Sequence, residues 1–269
     1  MSNFWQRTLF GFVFISILIG SILFDAITFR VLFLLIALVG LDEFFRIVTT
    51  ENNQPNQVAG RIIGIATYIL LSAVAFGTLP YKYIAVVAAL LLLIPIAELY
   101  RDKKQPIINI ALTYFGIFYT ILPFALLNFI ATIHIHYNPE IVLGYFILQW
   151  SSDTFAYLVG MTIGKRRLFE RISPKKSWEG FIGGGILTLL AGYITSIYFS
   201  SLSSSEWMGI ALIIVITGTL GDLVESLIKR TYELKDSGTL IPGHGGILDR
   251  FDSLLLAIPF IWLYLNFVH

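Results

Sequence analysis

Cysteine is absent from all 269 residues. That excludes a disulfide framework, a thiolate metal site and a cysteine nucleophile. Charge is scarce as well: Asp, Glu, Lys and Arg make up 13% of the chain, against about 25% in soluble domains. A surface so poor in charge has lipid in place of water as its main solvent. No small-residue cleavage site follows the first apolar run, so a cleaved signal peptide is not expected. Also missing are an internal repeat, a low-complexity linker and a matched pair of broken helices in corresponding halves. The last absence weakens a transporter reading.

What remains is apolar. Hydrophobic residues make up 57% of the chain and the mean hydropathy is +0.80. A spanning helix needs about 20 mostly apolar residues. Nine runs approach that length: 8–24, 28–47, 62–79, 83–99, 107–132, 141–160, 179–199, 206–226 and 250–268. The expected fold is an all-α polytopic membrane protein. Residues 1–140 would form a scaffold of membrane helices, and 141–269 would carry the catalytic site. Asp42, Glu43 and Glu98 fall near helix ends, where solvated roles are expected, and Pro95 and Pro123 should kink their helices.

Charge bias orients these spans, because cytoplasmic connections carry an excess of Lys and Arg. With nine spans and the N-terminus in the cytoplasm, sixteen of the eighteen basic residues fall inside, leaving only Arg30 and Lys82 outside. The C-terminus is then outside. The two most charged connections, 161–178 and 227–248, share the cytoplasmic side, where nucleotides are found.

Those connections hold most of the candidate chemistry. From Ser226 the chain reads Ser226-x-x-Lys229-Arg230, Lys235-Asp236-x-Gly238, Pro242-Gly243-His244-Gly245-Gly246 and Asp249-Arg250-x-Asp252. Asp222 and Glu225 are spaced i, i+3 on a helix face, as are Asp249 and Asp252. Folded back together, such carboxylates would repel one another unless a cation sat among them. Magnesium suits this arrangement, since it takes one or two carboxylates plus substrate phosphates. Two rival readings stand beside this one: Asp249 and Asp252 as acidic residues at a helix N-terminus, and Glu225 as an i, i+4 partner of Lys229. Lys229, Arg230 and Lys235 flank glycines whose backbone N–H groups can approach an anion. The Gly-x4-Gly-Lys spacing of a Walker loop is absent. His244 is open to binding phosphate, donating a proton or holding the loop.

A second block, Ser173-Pro174-Lys175-Lys176-Ser177-Trp178-Glu179-Gly180, precedes the run from 179. Ser177 is placed to cap a helix with Glu179 in its first turn. Lys175 and Lys176 beside that helix start would form an anion-binding corner. Trp178 would stack on a base or anchor at the membrane interface. Further upstream, Asp153 sits inside an apolar run with Ser152 and Tyr157 nearby, and a carboxylate there needs a partner. Gly160 and Gly164 form a small-x3-small pair suited to close helix packing.

On these residues the chain strongly resembles the phosphatidate cytidylyltransferases, also called CDP-diacylglycerol synthases. The family signature of Ser, Lys-Arg, Lys-Asp, Pro-x-His-Gly-Gly and Asp-Arg-x-Asp runs without a gap from Ser226 to Asp252. The Ser-Pro-Lys-Lys-Ser-Trp-Glu-Gly block is similar too. The matches cover roughly residues 150–255, and the first half agrees only in being polytopic. The resemblance implies CTP + phosphatidate → CDP-diacylglycerol + pyrophosphate, within phospholipid biosynthesis. It implies a cell-membrane location and an active site facing the cytoplasm. Magnesium is the expected cofactor, with a monovalent cation as a further candidate.

In this reading Asp222, Asp249, Glu225 and Asp252 are the metal candidates. Asp222, Lys229, Arg230, Lys235, Asp236, His244, Asp249 and Arg250 make up the catalytic group. Asp153, Ser173, Lys175, Lys176, Ser177, Trp178, Gly245 and Gly246 contact the substrates. The partners are CTP, phosphatidate and membrane lipids, with no nucleic acid; Gly- and Ala-bearing helix faces would permit a homodimer. Two alternatives remain: a CTP-dependent kinase of a lipid alcohol, and an ion or metabolite transporter.

Overall fold

Helix signals in the sequence explain where the apolar runs break. The computed structural model describes residues 3–238 and 245–269. Helix α1 (Asn3–Phe24) is separated from α2 (Ala26–Val48) by one residue, Asp25. Its carboxylate accepts from the N–H groups of Ile27 at 2.6 Å and Thr28 at 2.7 Å, and the Thr28 hydroxyl pairs back to the Asp25 N–H. This reciprocal box satisfies the orphan donors of α2. Being exposed, the Asp25 carboxyl is also held below its usual range, chiefly by the Thr28 N–H. Asn56 caps α3 (Gln57–Ala75), which starts about five residues earlier than apolarity alone predicts.

Helix α4 (Ile84–Leu99) contains Pro95, and Pro106 opens α5 (Pro106–Gly116). One π-helical segment, Ile117–Ile121, joins α5 to α6 (Leu122–Ala131), with Pro123 in the first turn of α6. Proline lacks an N–H and its ring crowds the carbonyl four residues back. For Pro123 that carbonyl belongs to Tyr119, within the widened π turn.

The second half of the chain opens with α7 (Pro139–Ile163). A two-stranded antiparallel hairpin follows, β1 (Arg167–Phe169) and β2 (Ser173–Ser177), pairing Arg167 with Ser177 and Phe169 with Ser173. It is the one pair of strands among the described residues of an otherwise helical protein. Then come α8 (Trp178–Tyr198) and α9 (Ser204–Ile213). A second π segment, Ile214–Gly218, leads into α10 (Thr219–Thr231), and α11 (Leu248–Val268) ends the chain.

Six of these helices or continuous helical runs are long and apolar enough to cross a membrane, and Thr8–Phe24 is a shorter apolar one. Two further long helices carry polar residues within their apolar runs: α2 at 23 residues, with Arg30, Asp42, Glu43 and Arg46, and α7 at 25, with Gln149, Ser151, Ser152 and Asp153. Each of the nine runs read from the sequence falls on one of these segments. The protein is an all-α polytopic membrane protein. Its lipid-facing surface is plain on α8, where Ile182, Ile186, Leu190 and Ile197 are exposed. An apolar stripe of that size needs a partner, and here the partner is the bilayer.

The chain divides into two compact units. The first comprises residues 1–137 and 232–251, and the second 138–231 and 252–269. The core of the first is aromatic: Phe29, Phe33, Phe44, Phe45 and Phe124 are fully buried. In the second, α7 and α8 meet along a seam of glycines. A Cβ on Gly184 would lie 2.6 Å from the backbone Cα and N of Ala156, and one on Gly180 would lie 2.7 Å from the Ala156 carbonyl. Small residues let membrane helices approach this closely. Gly160 contributes from α7, facing Gly180.

Because backbone atoms cannot step aside, Gly184→Val should force α8 away from α7. Overpacking of this kind costs about 1–3 kcal/mol or more, so the detergent-solubilised variant should melt several degrees lower. A Cβ on Gly20 would meet nothing within 4 Å, so Gly20→Val should melt like the parent. Equal melting of the parent and both variants would contradict the seam.

Candidate active site

A cavity of about 520 Å³ opens within the second unit. Its walls come from α7, the hairpin, the start of α8, the π segment with α10, and Ser253 of α11. Each contribution has a local cause. Ser177 ends β2 and caps α8, accepting from the Gly180 N–H at 3.2 Å. This fixes Lys175 and Lys176, the two preceding residues, at the cavity wall. The widened turn Ile214–Gly218 brings Gly218 against Gln149 of α7 and starts α10, which carries Asp222. π turns recur at functional sites.

The central contact is an ion pair. Lys176 Nζ lies 2.5 Å from Asp222 Oδ2, both side chains being about a third exposed or less. The Ser226 hydroxyl donates to the other Asp222 oxygen at 3.3 Å. Asp153 also lines the cavity and accepts from Gln149 Nε2 at 3.1 Å. Asp252 is in electrostatic range of Asp222, Asp153 and Lys176, and its Oδ1 accepts from the Ser253 N–H. Asp252 thus feels two other carboxylates and one lysine, an excess of negative charge that a cation would offset. Among the described residues no three acidic or histidine side chains are gathered as a ready-made ion cage. A magnesium ion bound here would have to complete its shell with water and substrate phosphate.

Several other predicted residues of this unit do not line the cavity. Glu225 and Lys229 are both buried and form an i, i+4 ion pair at 2.5 Å, the alternative the spacing offered for Glu225. Arg230 is exposed at the end of α10. Ser173 begins β2 opposite Phe169, away from the cavity lining. Trp178 is half exposed, edge-on to Phe181, and does not line the cavity. The expected anion corner at the start of α8 has donors already committed. The Trp178 N–H donates to the Arg166 carbonyl at 2.9 Å, and the Gly180 N–H is taken by Ser177. Glu179 turns back to accept from the N–H groups of Lys165 and Arg166. Anion binding here therefore falls to the lysine side chains.

The remaining signature residues belong to the first unit. Asp249 Oδ2 accepts from the Ser237 N–H and hydroxyl, each at 2.9 Å, and from the Gly246 N–H at 2.8 Å. Gly245 has φ +86°, a left-handed conformation that glycine adopts without steric cost. Lys235, Asp236 and Arg250 are exposed. His244 lies outside the described residues, as do Pro242 and Gly243.

Sequence reading missed several participants. Gln149 is buried in the cavity wall, and its Oε1 has no hydrogen-bond partner. Ser237 occupies the unspecified position between Asp236 and Gly238 in the signature. Glu43, expected to be solvated, is 4% exposed and binds the backbone of Ile247 and Leu248. Glu98, also expected at the surface, is 3% exposed and is held by Arg101 at 2.7 Å and Asn109 at 3.0 Å. Asp42 alone of that trio is exposed, paired with Arg61.

Comparison with known proteins converges on one group. A protein of Bacillus subtilis (strain 168) named phosphatidate cytidylyltransferase is 46% identical over 120 residues, 44% of this chain and 45% of that one. One of the same name from Staphylococcus aureus (strain COL) is 47% identical over 118 residues, 43% of this chain and 45% of that one. A third, from Rickettsia bellii (strain RML369-C), is 39% identical over 148 residues, 52% of this chain and 63% of that one. The matched stretches thus span less than two thirds of each relative. The model of the cytidylyltransferase family, by contrast, matches residues 5–268. With a match over nearly its whole length, the chain belongs to the cytidylyltransferase family.

Proposed function

We propose that the protein transfers CMP from CTP to phosphatidate, giving CDP-diacylglycerol and pyrophosphate. The observation that carries this reading is the Lys176–Asp222 pair in its cavity, set in a chain of this family. The relatives' name supplies the substrates.

The chemistry asks little of a general base. The nucleophile is the lipid's phosphate oxygen, and a phosphate monoester is mostly ionised at neutral pH, its second pKa being about 6. That oxygen bonds to the α-phosphorus of CTP while the bond from the α-phosphorus to the bridging oxygen breaks and pyrophosphate departs. The obstacle is charge, since one anion must approach another. Magnesium, when bound, would screen the phosphates and stabilise the leaving pyrophosphate. The sequence names Asp222, Asp249 and Asp252 as the candidates to hold it; Glu225 is engaged by Lys229. Lys176 is neutralised by Asp222. A nucleotide phosphate entering the cavity would take over Lys176 and release Asp222 for the cation. Each group exchanges one charged partner for another, so none is stranded in a low-dielectric site, where an unpaired charge is costly. Lys175 adds a second cation at the same wall, and the exposed Arg230, Lys235 and Arg250 would spread positive charge over pyrophosphate and phosphatidate, while Lys229 is committed to Glu225. The distribution of Lys and Arg favours a nine-span topology with the N-terminus and the site in the cytoplasm.

A CTP-dependent lipid kinase would attack the γ-phosphate with a hydroxyl, and that hydroxyl needs a base. Asp153 is the one further carboxylate lining the cavity, and Gln149 already donates to it.

Two tests follow. With purified protein, phosphatidate and Mg2+, label from α-labelled CTP should enter the lipid phase while γ-label stays in water. The reverse would establish the kinase, and transport in liposomes without nucleotide would favour the transporter. Second, Asp222→Asn, Asp249→Asn and Lys176→Met should each lower kcat by about 100-fold or more, the scale for losing one preorganised charge in an active site. Near-parental melting should show that each variant is folded, and parental turnover in Asp222→Asn or Asp249→Asn would remove that carboxylate from the metal assignment.

A further inference from the structure

The least expected feature of the first unit is the surroundings of Glu43. This residue sits one turn before Arg46 on α2, in the half of the chain where the family motifs are silent. Its carboxylate is buried and accepts three hydrogen bonds: from the Ile247 N–H at 2.9 Å, the Leu248 N–H at 2.9 Å and the Ser237 hydroxyl at 3.0 Å. Arg46 Nη2 donates to the Ser237 carbonyl at 2.8 Å. Two side chains of α2 therefore grip residues 237, 247 and 248 of the signature, about two hundred residues later.

The grip extends to Asp249. The Ser237 hydroxyl lies 3.0 Å from Glu43 Oε2 and 2.9 Å from Asp249 Oδ2. A hydroxyl carries one proton, so it bridges the two carboxylates and can donate to only one at a time. The Ser237 N–H adds a fixed donor to Asp249. The packing is tight as well. A Cβ on Gly246 would collide with the Ser237 hydroxyl and both Glu43 oxygens, and a Cβ on Gly238 would lie 2.6 Å from Glu43 Oε1 and 2.7 Å from Arg46 Nη2. Glycine at these two signature positions leaves room for the Glu43 side chain.

A buried carboxylate facing backbone N–H groups makes charge-assisted hydrogen bonds, the stronger kind. Two of those N–H groups, from Ile247 and Leu248, lie where α11 begins and have no intrahelical acceptor. Glu43 thus supplies a negative charge at a helix start, where it is favoured, from a distant helix. Asp249 and Arg250 follow directly in that first turn.

We propose that Glu43 is a positioning residue for the cytidylyl-transfer site: with Arg46 and Ser237 it fixes the first turn of α11 and thereby the carboxylate of Asp249. It acts through the backbone and Ser237 and touches no substrate. The activity part of this proposal rests on the function proposed above; the clamp itself does not.

The test is Glu43→Gln, nearly isosteric. The amide keeps one acceptor oxygen but turns an NH2 group toward donors, so at least one bond to Ile247, Leu248 or Ser237 is lost. Hydrogen–deuterium exchange of peptides spanning 245–250 should accelerate about tenfold or more, the scale for one charge-assisted bond. The Mg2+ concentration for half-maximal turnover should rise by a similar factor, and turnover should recover in part at high Mg2+. A merely structural role would instead lower the folded fraction and leave the Mg2+ dependence of the remaining enzyme unchanged. Should Glu43→Gln not accumulate in folded form, Ser237→Ala removes only the bridging hydroxyl and should move both readouts the same way by a smaller factor. Unchanged exchange at 245–250 in the folded variants would overturn the clamp, and faster exchange with parental Mg2+ dependence would overturn the positioning role. Faster exchange in a protein whose parent transfers no label would uphold the clamp and overturn the assigned activity.

Discussion

A carboxylate withdrawn from water near a bilayer costs several kcal/mol unless donors or cations converge on it. The acidic side chains of this protein meet that cost in distinct ways. Glu43 is surrounded by backbone N–H groups and a hydroxyl, Glu98 by Arg101 and Asn109, Glu225 by Lys229, and Asp222 by Lys176. The first solution is permanent, because backbone donors cannot leave without unwinding the turn that bears them. The last is exchangeable, because a lysine side chain at the edge of a cavity can swing to a phosphate. Fixed pairing holds the frame of the first unit. In the proposed mechanism, the exchangeable pair in the second unit is where substrate charge would enter.

The two long helices that carry polar residues within their apolar runs, α2 and α7, illustrate the same division. Polar side chains are costly in lipid, and here they are engaged locally. Glu43 and Arg46 of α2 bind the signature backbone, whereas Gln149, Ser152 and Asp153 of α7 line the cavity. Ionisable residues within membrane helices are functional candidates by default. Here one helix spends them on position and the other on the cavity.

Much of the fold was legible in the sequence because its causes are local or periodic. The apolar runs of near-spanning length each met helix among the described residues, and Ser177 capped α8 where a Ser-x-Glu-Gly start predicts it. The i, i+4 spacing offered the Glu225–Lys229 pair. Features that depend on distant contacts were not legible. Nothing near Glu43 in sequence announces that its partners lie at 237, 247 and 248, so an end-of-helix acid reads as solvated. Ser237 hid in the signature's unspecified position. The hairpin at 167–177 is too short and too rich in Lys and Arg to show a strand period, and the π turns leave no compositional trace. For the cavity, Lys175, Lys176 and Asp222 were readable from their motifs, while Gln149 needed the tertiary fold to place it.

Inside the second unit the account makes one chemical claim: a lipid phosphate oxygen attacks the α-phosphorus of CTP in a site organised by Lys176 and Asp222. The most direct measurement uses phosphatidate carrying 18O in its phosphate, with unlabelled CTP, and mass analysis of lipid and released phosphates. The account predicts that every 18O remains in the lipid product, one of them bridging to the cytidylyl phosphorus, with none in pyrophosphate. Loss of 18O from the lipid into pyrophosphate, or a lipid product that gains a phosphoryl group without cytidine, would contradict it.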